Sequence, residues 1–144
     1  MQTLLLFPAA SDLEGMEGRN EFLDQGELQW WTRILYDVPV GRRLWLYLES
    51  GVLWRTGAGE EELLTPAKAI ASYFVSRRWT LYAPVEFWPT WGDGGLPAYF
   101  GQIGGGIKYE LSSHLELEAL LTTFVLGKNS GAGQTYNLGL RWIK

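Results

Sequence analysis

A chain of 144 residues can build one domain with its own core and has no room for two ordinary ones, and the lack of cysteine excludes a disulfide framework and any Cys-based zinc or iron–sulfur site. Hydrophobic residues at 47% against charged ones at 19%, with 8 Trp, 7 Tyr and 6 Phe, exclude intrinsic disorder. Lys+Arg 12 against Asp+Glu 16 gives a formal charge of -4 without a basic stripe, which argues against nucleic-acid binding, and apolar runs such as Leu4 to Ala10 are too short for a transmembrane helix.

Met1 leads directly into Gln2 and Thr3, without the basic stretch and cleavage site of a signal peptide. Gln2 to Ala9 is an apolar stretch followed by a polar one, Ser11 to Gly26. From Glu27 onward the apolar residues recur with period two, so the whole of 1–144 reads as a single all-β domain. Six segments alternate cleanly: Leu28 to Val38, Arg43 to Arg55, Trp79 to Trp91, Tyr99 to Leu111, His114 to Leu126 and Thr135 to Ile143. A seventh, Lys68 to Arg77, is strand-like but ambiguous in phase, because Ile70 and Phe74 compete with Ala69, Tyr73 and Val75 for the apolar side.

The connections alternate in length. Val38 to Arg43, Arg77 to Trp79 and Leu111 to His114 are tight, whereas Gly57 to Ala67, Gly92 to Pro97 and Gly127 to Gln134 are longer and carry the Gly, Asp, Asn and Pro of loops. In a meander every second connection lies at the same end. This phase requires a first strand to bring the chain up, which assigns Gln2 to Ala9 as a strand and Ser11 to Gly26 as the first long loop. The expectation is an eight-stranded antiparallel up-and-down barrel, whose even count lets the sheet close without an edge.

On the six clean strands no Asp, Glu, Lys or Arg falls on the apolar face. Parity alone leaves open whether that face points into a soluble barrel or out into lipid. Three features favour lipid. The aromatics of this face, Trp30, Tyr36, Trp54, Trp79, Phe87, Trp91, Tyr99, Tyr109, Tyr136 and Trp142, lie toward strand ends with aliphatic residues between them, as interfacial girdles do. The bulky set suits the outside of a narrow barrel, while the opposite face carries Gly51, Gly104, Gly106 and Gly139, although Trp31, Trp45, Tyr47 and Trp88 also lie there. Finally, Arg33, Glu49, Arg55, Glu86, Lys108, Glu110, Glu116, Glu118 and Arg141 share that opposite face and suit a lumen that pairs its charges. A tight turn at Ser112 and Ser113 sets Lys108 beside Glu116 and Glu118, with Arg141 approaching Glu118 from the other side.

Strand number, connection lengths, girdles and charged interior together resemble the small eight-stranded bacterial outer-membrane barrels of the outer membrane protein A membrane domain and outer membrane protein X type. The terminal strand, Thr135 to Lys144, is similar to the closing strand such proteins present to the barrel assembly machinery, but it ends in Ile143-Lys144 rather than in Phe. The resemblance implies a transmembrane barrel in a Gram-negative outer membrane, turns in the periplasm, loops outside, and lipid and lipopolysaccharide as surroundings.

No catalytic, cofactor or metal site is assigned. The sole histidine, His114, has Ser112, Ser113 and Glu116 nearby, but neighbours in one tight turn rarely reach Ser-His-Glu geometry. Gly101 to Gly106 lies mid-strand with no helix after it, so it reads as glycines at a bend or opposite a bulky partner rather than as a phosphate loop. Glu60, Glu61, Glu62 and Asp93 read as solvated loop residues with divalent cations as the sharper option, and Arg42, Arg43, Arg77 and Arg78 as turn residues or headgroup contacts. The function expected is non-enzymatic, structural or adhesive through the loops. The alternatives are a soluble calycin-like carrier of an apolar ligand and an outer-membrane lipid-modifying enzyme.

Overall fold

The computed structural model describes residues 1–6, 28–57, 60–92 and 95–142. They form one antiparallel sheet of nine strands: β1 (Gln2–Leu6), β2 (Leu28–Pro39), β3 (Leu44–Gly57), β4 (Glu60–Leu64), β5 (Ala67–Phe74), β6 (Trp79–Gly92), β7 (Gly95–Ser112), β8 (Leu115–Lys128) and β9 (Gln134–Trp142). Each pairs with its sequence neighbours, except that β4 and β5 share one position between β3 and β6. The predicted loop at Ser11 to Gly26 and the end of the predicted first strand lie outside the described residues.

β4 and β5 are one strand interrupted at Thr65 and Pro66. Leu53 pairs Leu64 and Ser50 pairs Ala67, with two residues between on each side, so the register runs through unshifted. The same holds against β6, where Leu64 pairs Thr90 and Ala67 pairs Phe87. Pro66 has no N–H to give the ladder. Its carbonyl still accepts from Gly51 N at 3.0 Å, and Thr65 N donates to Pro89 O at 3.2 Å. Nine segments therefore occupy eight positions in the sheet.

Two predicted loops contract. Gly57 to Ala67 is mostly β-ladder, with Leu53 opposite Leu64, Trp54 opposite Leu63 and Arg55 opposite Glu62. Gly92 pairs Gly95, so the loop expected from Gly92 to Pro97 is a tight connection, with Gly95 at φ 129 in a conformation that L side chains rarely adopt. The ambiguous strand is resolved by its neighbours: Lys68 lies opposite Glu49 and Glu86, and Ile70 opposite Tyr47. Ala67, Ala69, Ala71 and Tyr73 therefore share the face of Leu48 and Val85.

The sheet curls toward its polar face. Adjacent strands are about 4.8 Å apart, yet the ring of Trp31 on β2 lies 6.0 Å from that of Trp88 on β6, three positions away. Tyr82 on β6 reaches over β7 to hydrogen-bond Glu118 on β8. Its path crosses Gly106, where a Cβ would sit 2.2 Å from Tyr82 Cζ, while Gly104 lies against the Leu121 carbonyl and the Thr122 side chain. The mid-strand glycines clear space for a large partner, whereas Gly105, on the other face, has open space around it. Among the described residues β1 and β9 are the two ends of the sheet path.

Gly106→Ala should accordingly destabilise by about 1–3 kcal/mol in chemical unfolding, against a neutral Gly105→Ala. Tyr82→Leu should remove most of the Gly106→Ala penalty; equal effects at Gly105 and Gly106 would contradict the crossing of Tyr82.

Candidate functional site

Alternation puts two chemically opposed surfaces on the sheet, and the curl decides which is sheltered. Along β6 the residues Tyr82, Pro84, Glu86 and Trp88 are buried or half-buried, while Trp79, Leu81, Val85 and Phe87 are exposed. β8 repeats this, with Glu116 at 7% and Thr122 at 7% exposure between exposed Leu117, Leu121 and Val125. The charge-bearing face is turned inward, and the leucines and valines are turned out.

The inner charges meet across strand pairs. Lys68 Nζ lies 2.6 Å from Glu86 Oε1, Lys108 Nζ 3.3 Å from Glu118 Oε2 and 4.0 Å from Glu116 Oε1, and Arg141 Nη2 2.5 Å from the same Glu116 oxygen. Each of these cations sits directly opposite an acid in register: Lys68 opposite Glu86, Lys108 opposite Glu118, Arg141 opposite Glu116. Arg141 thus faces Glu116 rather than Glu118. Arg33 lies opposite Gly51, whose missing side chain lets the guanidinium pass to Glu49 Oε1 at 3.2 Å. Arg55 is 3.9 Å from Glu62 near the loop end. Glu110 is exposed at the turn end and stands outside these pairs.

Neutral donors complete the carboxylates. Tyr47 Oη donates to Glu49 Oε2 at 2.6 Å, and Gln102 Nε2 and Trp88 Nε1 donate to Glu86 Oε2 at 3.0 and 3.3 Å. Tyr82 Oη donates to Glu118, and the Lys108 ammonium lies 5.2 Å from the Tyr82 ring centroid. Buried charges persist when paired and hydrogen-bonded in this way. Sequence reading missed Lys68, Tyr47, Tyr82, Glu62 and Gln102 as members. Parity already placed Tyr47, Tyr82 and Gln102 on this face, but nothing in the pattern fixed the phase of Lys68.

Toward the loop end the inner face becomes apolar. Trp31, Trp88, Phe100 and Phe124 contact in series at ring separations of 6.0, 5.9 and 5.3 Å. Leu53, 2% exposed, and Leu64 are buried on the same face.

The outer face carries all ten aromatics named from the sequence. Tyr36, Trp79, Tyr109 and Trp142 lie toward the turn end; Trp30, Trp54, Phe87, Trp91, Tyr99 and Tyr136 lie toward the loop end. Trp79 packs on Tyr109 with ring centroids 4.3 Å apart, and Phe87 on Tyr99 at 6.0 Å. Between the two groups, Ile34, Val52, Val85, Leu121, Leu138 and Leu140 are exposed, Leu138 at 89%.

At the third tight turn, Ser113 Oγ and His114 Nδ1 are 2.8 Å apart, and the imidazole stacks 6.0 Å from Trp142. The Glu116 carboxylate is occupied by Arg141 and Lys108 instead of orienting the histidine. Glu61 is exposed and Glu62 faces Arg55, while Asp93 and the Glu60 side chain lie outside the described residues. No protein-family model, curated protein or solved structure matches the chain.

The pairing of Lys68 with Glu86 is testable by a double-mutant cycle. Lys68→Met should destabilise by about 1–2 kcal/mol, discounted because the Lys68 side chain keeps 34% of its surface exposed. Adding Glu86→Gln, which removes the charge but keeps an acceptor for Gln102 and Trp88, should recover most of that loss, and simple additivity of the two losses would show that the pair does not couple.

Proposed function

We infer that the protein is an integral outer-membrane barrel without enzymatic activity, its eight sheet positions closed between β1 and β9, acting structurally or through loop-borne binding. One observation carries this reading: the apolar face is the exposed one, while Glu49, Glu86, Glu116 and Glu118 and their partners Arg33 and Lys108 are buried or half-buried on the other. Soluble monomers rarely expose contiguous apolar surface beyond a few hundred Å², and here it runs across neighbouring strands from Tyr36 and Ile34 to Leu138 and Leu140. A calycin-like carrier needs the same alternation with its leucines inside.

In a bilayer the arrangement is self-consistent. Every backbone polar group of a spanning sheet must be paired, which only a closed barrel achieves. The aliphatic belt between aromatic groups matches the apolar band of such barrels. An eight-stranded barrel is filled by its own side chains, so the ion pairs and the Trp31–Trp88 cluster would plug the lumen and leave no pore. The outer-membrane assignment, with lipopolysaccharide at the loop end and assembly machinery acting on the last strand, follows from the resemblance to small bacterial barrels.

Purified chain should require detergent for dispersal and should migrate differently on gels before and after heating, with β circular dichroism before. A folded monomer in plain buffer would sink the reading. Val85→Arg, midway along β6 between Trp79 and Trp91, should cost roughly 2–4 kcal/mol in detergent or lipid if this position faces acyl chains at mid-depth.

A further inference from the structure

The cations divide sharply by partner. Arg33, Arg55, Lys68, Lys108 and Arg141 each have a carboxylate, and Lys128 donates to the Leu96 carbonyl at 3.2 Å. The other four among the described residues, Arg42, Arg43, Arg77 and Arg78, are exposed and have no carboxylate within ion-pair distance. All four lie in two turns at the same end, 40–43 and 75–78, held together where Phe74 N donates to Arg43 O at 2.8 Å. The charged inner-face neighbours at that end are Asp37 and Glu110, both exposed, so the end stays net positive on a chain of net charge -4.

Directly below the second turn the outer face is grooved. Trp79 follows Arg78 in sequence, and Glu110 N donates to Arg78 O at 2.9 Å, which brings the Trp79–Tyr109 pair against the turn. From that rim a mainly apolar groove of about 500 Å³ runs down the belt, with Trp79, Tyr109, Leu117, Leu138 and Leu140 in its lining and Glu118, whose carboxylate is held by Lys108 and Tyr82, beside them. An apolar channel under unpaired guanidiniums has the chemistry of one amphiphile: an anionic head and a hydrocarbon tail.

We propose that the turn end is a binding surface for anionic diacyl phospholipid, with the phosphate at Arg42, Arg43, Arg77 and Arg78 and an acyl chain in the groove below Trp79. The inference rests on the membrane reading above and adds to it a lipid preference and its location. The chain's overall negative charge works against any general attraction to anionic lipid, so a preference points to this cluster. Each guanidinium engaged at a membrane surface is worth about five-fold in binding.

The test is native mass spectrometry of detergent-folded protein supplied with equal amounts of phosphatidylglycerol and phosphatidylcholine. Wild type should retain phosphatidylglycerol over phosphatidylcholine by about five-fold or more. The quadruple variant Arg42→Gln, Arg43→Gln, Arg77→Gln, Arg78→Gln should fall to near parity, while the quadruple Arg→Lys variant and Lys128→Gln, at the opposite end, should keep the preference. If the quadruple Gln variant does not fold, the two double variants, Arg42→Gln/Arg43→Gln and Arg77→Gln/Arg78→Gln, should each lower it. Folded wild type that holds both lipids equally, or folded Gln variants that keep the preference, would overturn the headgroup surface and leave the membrane reading intact. A chain that folds in buffer and takes up neither lipid would overturn both.

Discussion

The structure depends on the register of its strand pairs. In an antiparallel ladder a shift of one residue exchanges the two faces of a strand, and here such a shift would turn Lys68, Glu86, Lys108 and Glu118 outward and carry their apolar or aromatic neighbours into their places. Opposed charges thus act as a key for alignment: Lys68 meets Glu86, Lys108 meets Glu118 and Arg141 meets Glu116 only in the observed register. Ion pairs contribute little where water is plentiful and discriminate strongly where it is scarce.

Side-chain size supplies a second constraint on the same face. Gly51 lies opposite Arg33, and Gly106 lies beneath Tyr82. In both places a residue without a side chain lets a long one lie across it toward a carboxylate. The glycine-rich stretch of β7 is therefore neither loose backbone nor a ligand loop. It is the low ground over which Tyr82 reaches from β6 to β8.

Much of this organisation is legible in the sequence because alternation over long strands survives local irregularity. The clean pattern of Arg43 to Arg55 placed Tyr47, Glu49 and Gly51 on one face, and the structure holds them together there. What escaped were features that periodicity does not encode. Around Lys68 three alanines and two aromatics give no contrast between faces, so its phase is set only by Glu49 and Glu86 on the neighbouring strands. Glu60 to Leu64 reads as loop because it is acidic and followed by Pro66, yet the ladder runs through it, with Leu64 buried opposite Leu53 and Glu62 opposite Arg55. The unpartnered state of the turn arginines likewise depends on which acids the fold draws away to other cations.

The break at Pro66 has a mechanical consequence. Below it, β5 is paired with β3 from Ala67 to Tyr73 and with β6 from Ala67 to Phe74; above it, among the described residues, β4 is paired with β3 over five residues and with β6 at Leu63 and Leu64. The proline therefore acts as a perforation between a stem held on both sides and a tip that, among the described residues, is held more extensively by β3 than by β6. Local opening follows the weakest set of contacts, so the β3–β4 tip can fray or vary in sequence without loosening the stem beneath it.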